Sequence, residues 1–146
     1  GAGERLARAR QEEADMGLSR PQTYWDWSCV LDRLRRDLRE TVLQAHDKGR
    51  STFAYGSSTK GNVILQWANL GHELIAGAAD RSPAKWGLYT VGTGIPIMSE
   101  EAARLLHPDH FLLLPYAFKQ EFFEREALWK KKGGRWIVPL PRVEVV

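Results

Sequence analysis

From Ser51 onward, short apolar runs alternate with turn signals and helix-period segments, and few folds accept that alternation. The pattern predicts strands at about residues 51–55, 73–79, 95–98, 110–114 and 135–138, with an edge strand at about 142–146. Val63, Ile64, Trp67 and Ala68 supply one apolar face after the first strand. Ser99 is placed to cap the next helix, with Glu100 and Glu101 in its first turn and Pro108 beyond its end. A last long helix is predicted over 118–131, with Phe118, Phe122 and Trp129 inward and the Lys130 to Lys132 run at its C-terminal end before Gly133 and Gly134. Right-handed crossovers then make the fold class α/β. The expected architecture is an open, mostly parallel sheet with helices on both faces, preceded by one or two N-terminal helices.

The region before Ser51 is helical in pattern. Residues 1–23 read as a polar helix and linker in which Gly1, Ala2 and Gly3 resemble a cloning remnant, and the main domain is expected over 24–146. Trp27, Val30, Leu31, Leu34, Leu38, Val42 and Ala45 recur at steps of three and four, which predicts a long amphipathic helix ending near Gly49. Cys29, on its apolar side, reads as a small core residue. Arg33, Arg35, Arg36 and Arg39 are interleaved with Asp32, Asp37 and Glu40, the pattern of an exposed, salt-laced face.

A chain of 146 residues, 43% apolar and 27% charged, has the balance of one folded domain with a real core. The net charge of +3 supports no nucleic-acid partner. One cysteine excludes an internal disulfide and a cysteine-rich metal site, which favours a reducing, cytoplasmic setting. No apolar run approaches a membrane span, so no membrane partner is expected.

Chemistry concentrates in Tyr55-Gly56-Ser57-Ser58-Thr59-Lys60-Gly61-Asn62, between the first strand and the next helix. At the carboxyl edge of an open α/β sheet, such a turn directs unpaired N–H groups and a positive dipole end outward, so an anion is its natural guest. Gly56 and Gly61 permit close backbone approach, Ser57, Ser58 and Thr59 carry hydroxyls, and Lys60 adds a mobile charge. The order of Lys60 and Gly61 is wrong for a Walker loop, and the dinucleotide glycine fingerprint is incomplete. A plain capped strand-to-helix turn is the competing reading. Asp80, after the second strand, either accepts ribose hydroxyls or caps the turn at Ser82-Pro83. The long loop from Arg81 to Gly94 brings Lys85, Trp86 and Tyr89, a stacking surface beside a cation.

His46, His72, His107 and His110 form no ligand spacing, so no metal is assigned and each is expected as a surface or capping residue. Ser57 and Ser58 are outside any Gly-x-Ser-x-Gly elbow. No residue is assigned a catalytic role.

The phrases Tyr55 to Asn62, Ala79-Asp80-Arg81-Ser82-Pro83 with Lys85-Trp86-Gly87 and Tyr89-Thr90, Ile95-Pro96-Ile97, Leu113-Leu114-Pro115-Tyr116 and Val138-Pro139-Leu140-Pro141 stand in one order. Over about residues 24–146 the chain thereby resembles the C-terminal domain of the sugar C-methyltransferase family. The resemblance implies a three-part enzyme: a zinc-binding N-terminal region, a central AdoMet-binding domain and this Rossmann-like domain. Such enzymes methylate a carbon of a nucleotide-linked keto sugar. AdoMet would be bound by the upstream domain, and no cofactor is expected in this chain. Gly56, Ser57, Ser58, Thr59, Lys60, Gly61 and Asn62 would face a nucleotide-sugar or other phosphorylated small molecule, with Asp80, Lys85 and Tyr116 nearby. Two departures stand out: Ser57 replaces the family's usual alanine, and Tyr116-Ala117 replaces its tryptophan followed by histidine or asparagine. The expected function is the substrate-side domain of an AdoMet-dependent C-methyltransferase, not catalytic alone. A stand-alone dinucleotide-binding domain and a noncatalytic docking module are the alternatives.

Overall fold

A computed structural model describes all 146 residues. They divide into two compact units, Gly1–Arg33 and Leu34–Val146. The first holds helix α1 (Ala2–Asp15), none of whose residues is buried, and the start of helix α2 (Pro21–Asp47). Trp25, Trp27, Val30 and Leu31 are half or more exposed there, and Cys29 is exposed too, so the expected apolar stripe is not core along this stretch. Only Leu38, Val42 and Ala45 of α2 are buried, all within the second unit. Gly49, at φ +68°, turns the chain after α2 in the left-handed region that glycine adopts without strain. Arg39 leaves the expected solvated face, its guanidinium donating to the Asn69 carbonyl.

The second unit is an α/β domain. Its sheet comprises β1 (Thr52–Tyr55), β2 (Ala78–Asp80), β3 (Ile97–Ser99), β4 (His110–Leu113), β5 (Arg135–Val138) and β6 (Glu144–Val145), in the order β3-β2-β1-β4-β5-β6. The first five are parallel, and β6 closes one edge antiparallel. Helices α3 (Thr59–Trp67), α4 (Glu100–Leu105), α5 (Lys119–Arg125) and α6 (Ala127–Lys131) fill the crossovers.

Period-two alternation sends the strand side chains to two cores of different texture. Ala54, Ala78, Leu112 and Ile137 face Leu38 and Val42 of α2 and Ile64, Leu65 and Ala68 of α3. Phe53, Tyr55, Phe111, Leu113, Trp136 and Val138 face Ala103 of α4 and the rings of Phe122, Phe123 and Trp129. Tyr55 and Phe111 meet edge-on at 5.0 Å between centroids, and Trp129 and Trp136 at 5.2 Å. Each fully buried large apolar side chain contributes about 1.5–3 kcal/mol, and both faces of the sheet are covered, as a parallel sheet requires.

Several local expectations shift. Residues 73–75 turn rather than extend, with the Leu74 and Ile75 amides donating to the Gly71 carbonyl. The third strand begins later than expected because the Ile95 amide donates to Thr90 Oγ1 at 2.9 Å and Pro96 has no N–H. Val63 is exposed while Ile64 and Ala68 are buried, so the inward face of α3 is narrower than its composition suggests. The last helix is interrupted at Glu126 (φ −101°, ψ 22°), whose carboxylate turns into the protein, and Phe118 is exposed rather than inward. His110 is buried at the start of β4, unlike His46, His72 and His107. No helix is long and apolar enough to cross a membrane.

Candidate functional site

Chain connections run from β1 outward to β2 and β3 on one side, and through β4 to β5 on the other, so the sheet reverses direction between β1 and β4. Ligands of open α/β folds bind in the crevice outside the carboxyl ends of strands at such a reversal. Here the flanking segments are Gly56 to Asn62 after β1 and Leu114 to Tyr116 after β4. They are tightly apposed. The Leu114 amide donates to the Tyr55 carbonyl at 3.2 Å, and a Cβ on Gly56 would stand 3.3 Å from Pro115 Cδ. Gly56 also has φ +87°, so both its conformation and its neighbour select glycine.

Ser58 caps α3, its hydroxyl accepting from the Gly61 amide at 3.2 Å. The amides of Thr59 and Lys60 in the first turn have no acceptor within the protein, and both residues are exposed at the carboxyl edge. Gly61 packs against the β4 end, where an added Cβ would meet Leu114 Cδ1 at 2.9 Å and Leu114 Cβ at 3.0 Å. The second contact is with an atom fixed to the backbone. Gly61→Val is therefore expected to push α3 off β4 and to lower stability by about 1–3 kcal/mol, measurable by urea denaturation.

Asn62 donates through Nδ2 to the Ser58 carbonyl at 3.3 Å, while its Oδ1 is buried without a donor. Tyr116 is half-buried in a 3-10 turn (Tyr116–Phe118), packed where the two cores meet.

Asp80 has a different part. Its Oδ1 accepts from the Ser82 amide at 2.9 Å; its Oδ2 accepts from the Ser57 amide at 2.9 Å, from Lys85 Nζ at 3.1 Å and from the Ser57 hydroxyl. Burial by itself would raise the Asp80 carboxyl, but the Ser57 hydroxyl, the Ser82 amide, Lys85 and the Ser57 amide together hold it below the usual carboxylate range. The Ser57 hydroxyl thus turns inward, and Lys85 spends its charge on Asp80 and, at 3.3 Å, on the Ser57 carbonyl. Trp86 Nε1 donates to the Asp80 carbonyl at 2.8 Å, and Gln66 holds the Val91 carbonyl at 2.8 Å, so the 81–94 loop is tied down while Tyr89 and Val91 stay exposed.

The structure accordingly brings the residues singled out from sequence to one sheet edge in two roles. Ser58, Thr59 and Lys60 form the exposed lip, and Ser57, Asp80 and Lys85 form a closed brace behind it. Sequence patterns could not reveal the Leu114 and Pro115 contacts or the Trp86 tie, which join residues far apart in the chain.

Comparison with known proteins decides the family. Residues 1–141 match the family described as the C-methyltransferase C-terminal domain. The chain belongs to that family. It is also similar to the C-methyltransferase NovU of Streptomyces niveus, 33% identical over 141 residues that make up 97% of this chain and 34% of that protein. The chain therefore spans about a third of the length of this relative. The family match takes in α1 and the start of α2 as well as the α/β unit.

Proposed function

We propose that this chain is the substrate-side domain of an AdoMet-dependent C-methyltransferase, and that its Gly56–Asn62 shelf grips the phosphorylated handle of a nucleotide-linked keto sugar. The observation that carries this reading is the pair of acceptor-free amides at Thr59 and Lys60, with Lys60 itself exposed, where the strand order reverses between β1 and β4. Two unpaired N–H groups, a helix N-terminus of nine residues and a mobile cation form a coherent diphosphate cradle. Tyr116 offers a ring at the opposite lip. Ser57, Asp80 and Lys85 act as positioning residues, fixing the turn so that its amides need no reorganisation when the anion arrives.

AdoMet and dinucleotides fit this chain poorly, because the acid at the end of β2 that would take ribose hydroxyls already holds four donors of its own. In this reading methyl-donor chemistry belongs to another part of the enzyme, and this domain binds, orients and shields the acceptor substrate. The exposed Trp25, Trp27, Val30 and Leu31 of α2 are the surface on which that upstream part packs, consistent with a relative about three times as long. A cytoplasmic setting completes the reading, in keeping with a single cysteine.

Titration with a nucleoside diphosphate sugar, followed by tryptophan fluorescence, tests it, because Trp86 beside the brace reports on this edge. Saturable quenching is expected, weakened about tenfold in Lys60→Ala, the effect of losing one charge-assisted contact. Unchanged affinity in Lys60→Ala, or binding of NAD in preference to the sugar nucleotide, would overturn the reading.

A further inference from the structure

The amino edge of the sheet carries a second basic recess, one strand length of roughly 13 Å from the Gly56 shelf at about 3.3 Å per residue. Arg50 precedes β1, His110 opens β4 and Arg135 opens β5, and the strand register sets Thr52 beside His110 and His110 beside Arg135. Lys48, just past the end of α2, lines the same cavity, whose volume is about 180 Å³. That is space for about six waters at ~30 Å³ each, enough for a tetrahedral oxyanion and part of its hydration.

Two observations point to a ligand. Lys48, Arg50 and Arg135 make no side-chain hydrogen bond or ion pair with the protein, although three cations converge on one small recess. His110 is only 5% exposed, yet its Nδ1 is buried without a partner. Cations without a counter-charge around a recess are an electrostatic invitation to an anion, and the buried imidazole of His110 supplies no negative charge to offset them. The nearest acid, Asp109, directs its Oδ2 to the Ser51 amide at 2.8 Å and hydroxyl at 3.1 Å and forms no ion pair with the three cations. Nor are the cations needed to finish α2, whose Ala45 and His46 carbonyls accept from the Lys48, Arg50 and Gly49 amides.

We propose that this recess binds a phosphoryl dianion, either free phosphate or the terminal group of a phosphomonoester, held by Lys48, Arg50 and Arg135 with His110 at its floor. The dianion supplies acceptors to all three cations and lies beside the imidazole. Burial, then the charges of Arg50 and Arg135, oppose protonation of His110 and outweigh the pull of Asp109 and the Ser51 backbone, and an anion seated among these cations would weaken that opposition. The site lies at the sheet edge opposite the shelf and stands independently of the sugar-nucleotide reading.

Inorganic phosphate titrated into the 146-residue chain at constant ionic strength, followed through the His110 ring by NMR, tests the assignment. The expected result is a saturable shift at roughly millimolar phosphate, with the His110 midpoint rising by about one pH unit. Arg50→Ala and Arg135→Ala should each weaken it about tenfold. Both side chains are exposed, so these variants should fold, which their unchanged far-UV spectra would verify. Lys60→Ala should leave the response intact. A nucleoside monophosphate that competes identifies the monoester as the ligand, and one that fails to compete identifies free phosphate. The proposal is overturned if chloride at matched ionic strength reproduces the shift, if a phosphodiester binds equally well, if either arginine variant behaves as wild type, or if Lys60→Ala abolishes the response.

Discussion

Thermal denaturation of Glu126→Ala is expected to show a loss of about 3 kcal/mol, a fall in Tm of roughly 6–12 °C for a domain of this size. Glu126 is 2% exposed and lies where the last helix breaks. Its carboxylate accepts from the Tyr55 hydroxyl at 2.7 Å and from Arg104 Nε at 2.8 Å and Nη2 at 2.5 Å. Arg104 also holds Glu100 at 3.1 Å, and Arg125 reaches the other Glu100 oxygen at 3.2 Å. Truncation leaves a buried hydroxyl without an acceptor and removes the main counter-charge of a guanidinium. That side chain still reaches solvent, which keeps the loss at the lower end for a broken buried pair. Glu126→Gln keeps an acceptor for Tyr55 but sets its Nε2 against an Arg104 N–H whichever way it turns, so its loss should approach that of truncation.

The pH dependence has a defined sign. Burial by itself would raise the Glu126 carboxyl, but Arg104, Tyr55 and Arg125 together hold it below its ordinary value of 4.5. A depressed folded-state value means the stabilising contribution is fully present above the unfolded value and is lost as pH falls through the folded one. Wild type should lose this contribution below about pH 4.5, whereas Glu126→Gln, with no carboxyl there, should show a shallower acid limb. Equal acid limbs in the two proteins would contradict the assignment. Tyr55 moves the opposite way: burial, then the bond to Glu126, pushes its hydroxyl well above the usual phenol range, so it stays a donor into strong alkali.

Asp80→Ala should cost about 2–3 kcal/mol in stability and weaken the proposed sugar-nucleotide binding more than tenfold. Its carboxylate joins the Ser57 turn to the Ser82–Lys85 segment, and removal strands two amides, a hydroxyl and an ammonium together. Here too the amide variant offers no rescue. Every neighbour of Asp80 that touches its oxygens is a donor, so the Asn Nδ2 of Asp80→Asn would confront another N–H whichever way it turned. Both sites are measurable by urea denaturation and fluorescence titration: at each, the amide variant is expected close to its truncation, because the amide nitrogen meets an N–H in either orientation. Recovery of wild-type stability in Asp80→Asn would show that the brace does not hold the turn. Its acid sensitivity has the same sign as that of Glu126, because the Asp80 carboxyl is also held down, and lies below about pH 3.8.

Much of the local architecture was legible in the residues themselves. The β4 and β5 patterns, the Ser99 cap donated to by the Ala102 amide at 3.0 Å, the left-handed glycine after α2 and the strand-turn-helix at Gly56 all follow from spacings of two to four residues. The family resemblance read from the same motifs agrees with the match over residues 1–141. What spacing could not supply were partners. Asp80 stood open between ribose acceptor and turn cap, and its four donors come from both the preceding turn and the following loop. Periodicity ran one helix through Glu126, and only the fold brought Tyr55 and Arg104 within reach of that side chain.

The chain by itself determined which segments extend, which coil and where an anion-seeking turn must lie, because backbone preference and side-chain period act between near neighbours. Tertiary structure decided which face of α2 is buried, which hydroxyl turns inward, and which carboxylates are bound by the protein's own donors. Those outcomes depend on desolvation and on hydrogen bonds between residues such as Ser57 and Asp80, 23 apart, and Tyr55 and Glu126, 71 apart, whose proximity exists only once the sheet has assembled.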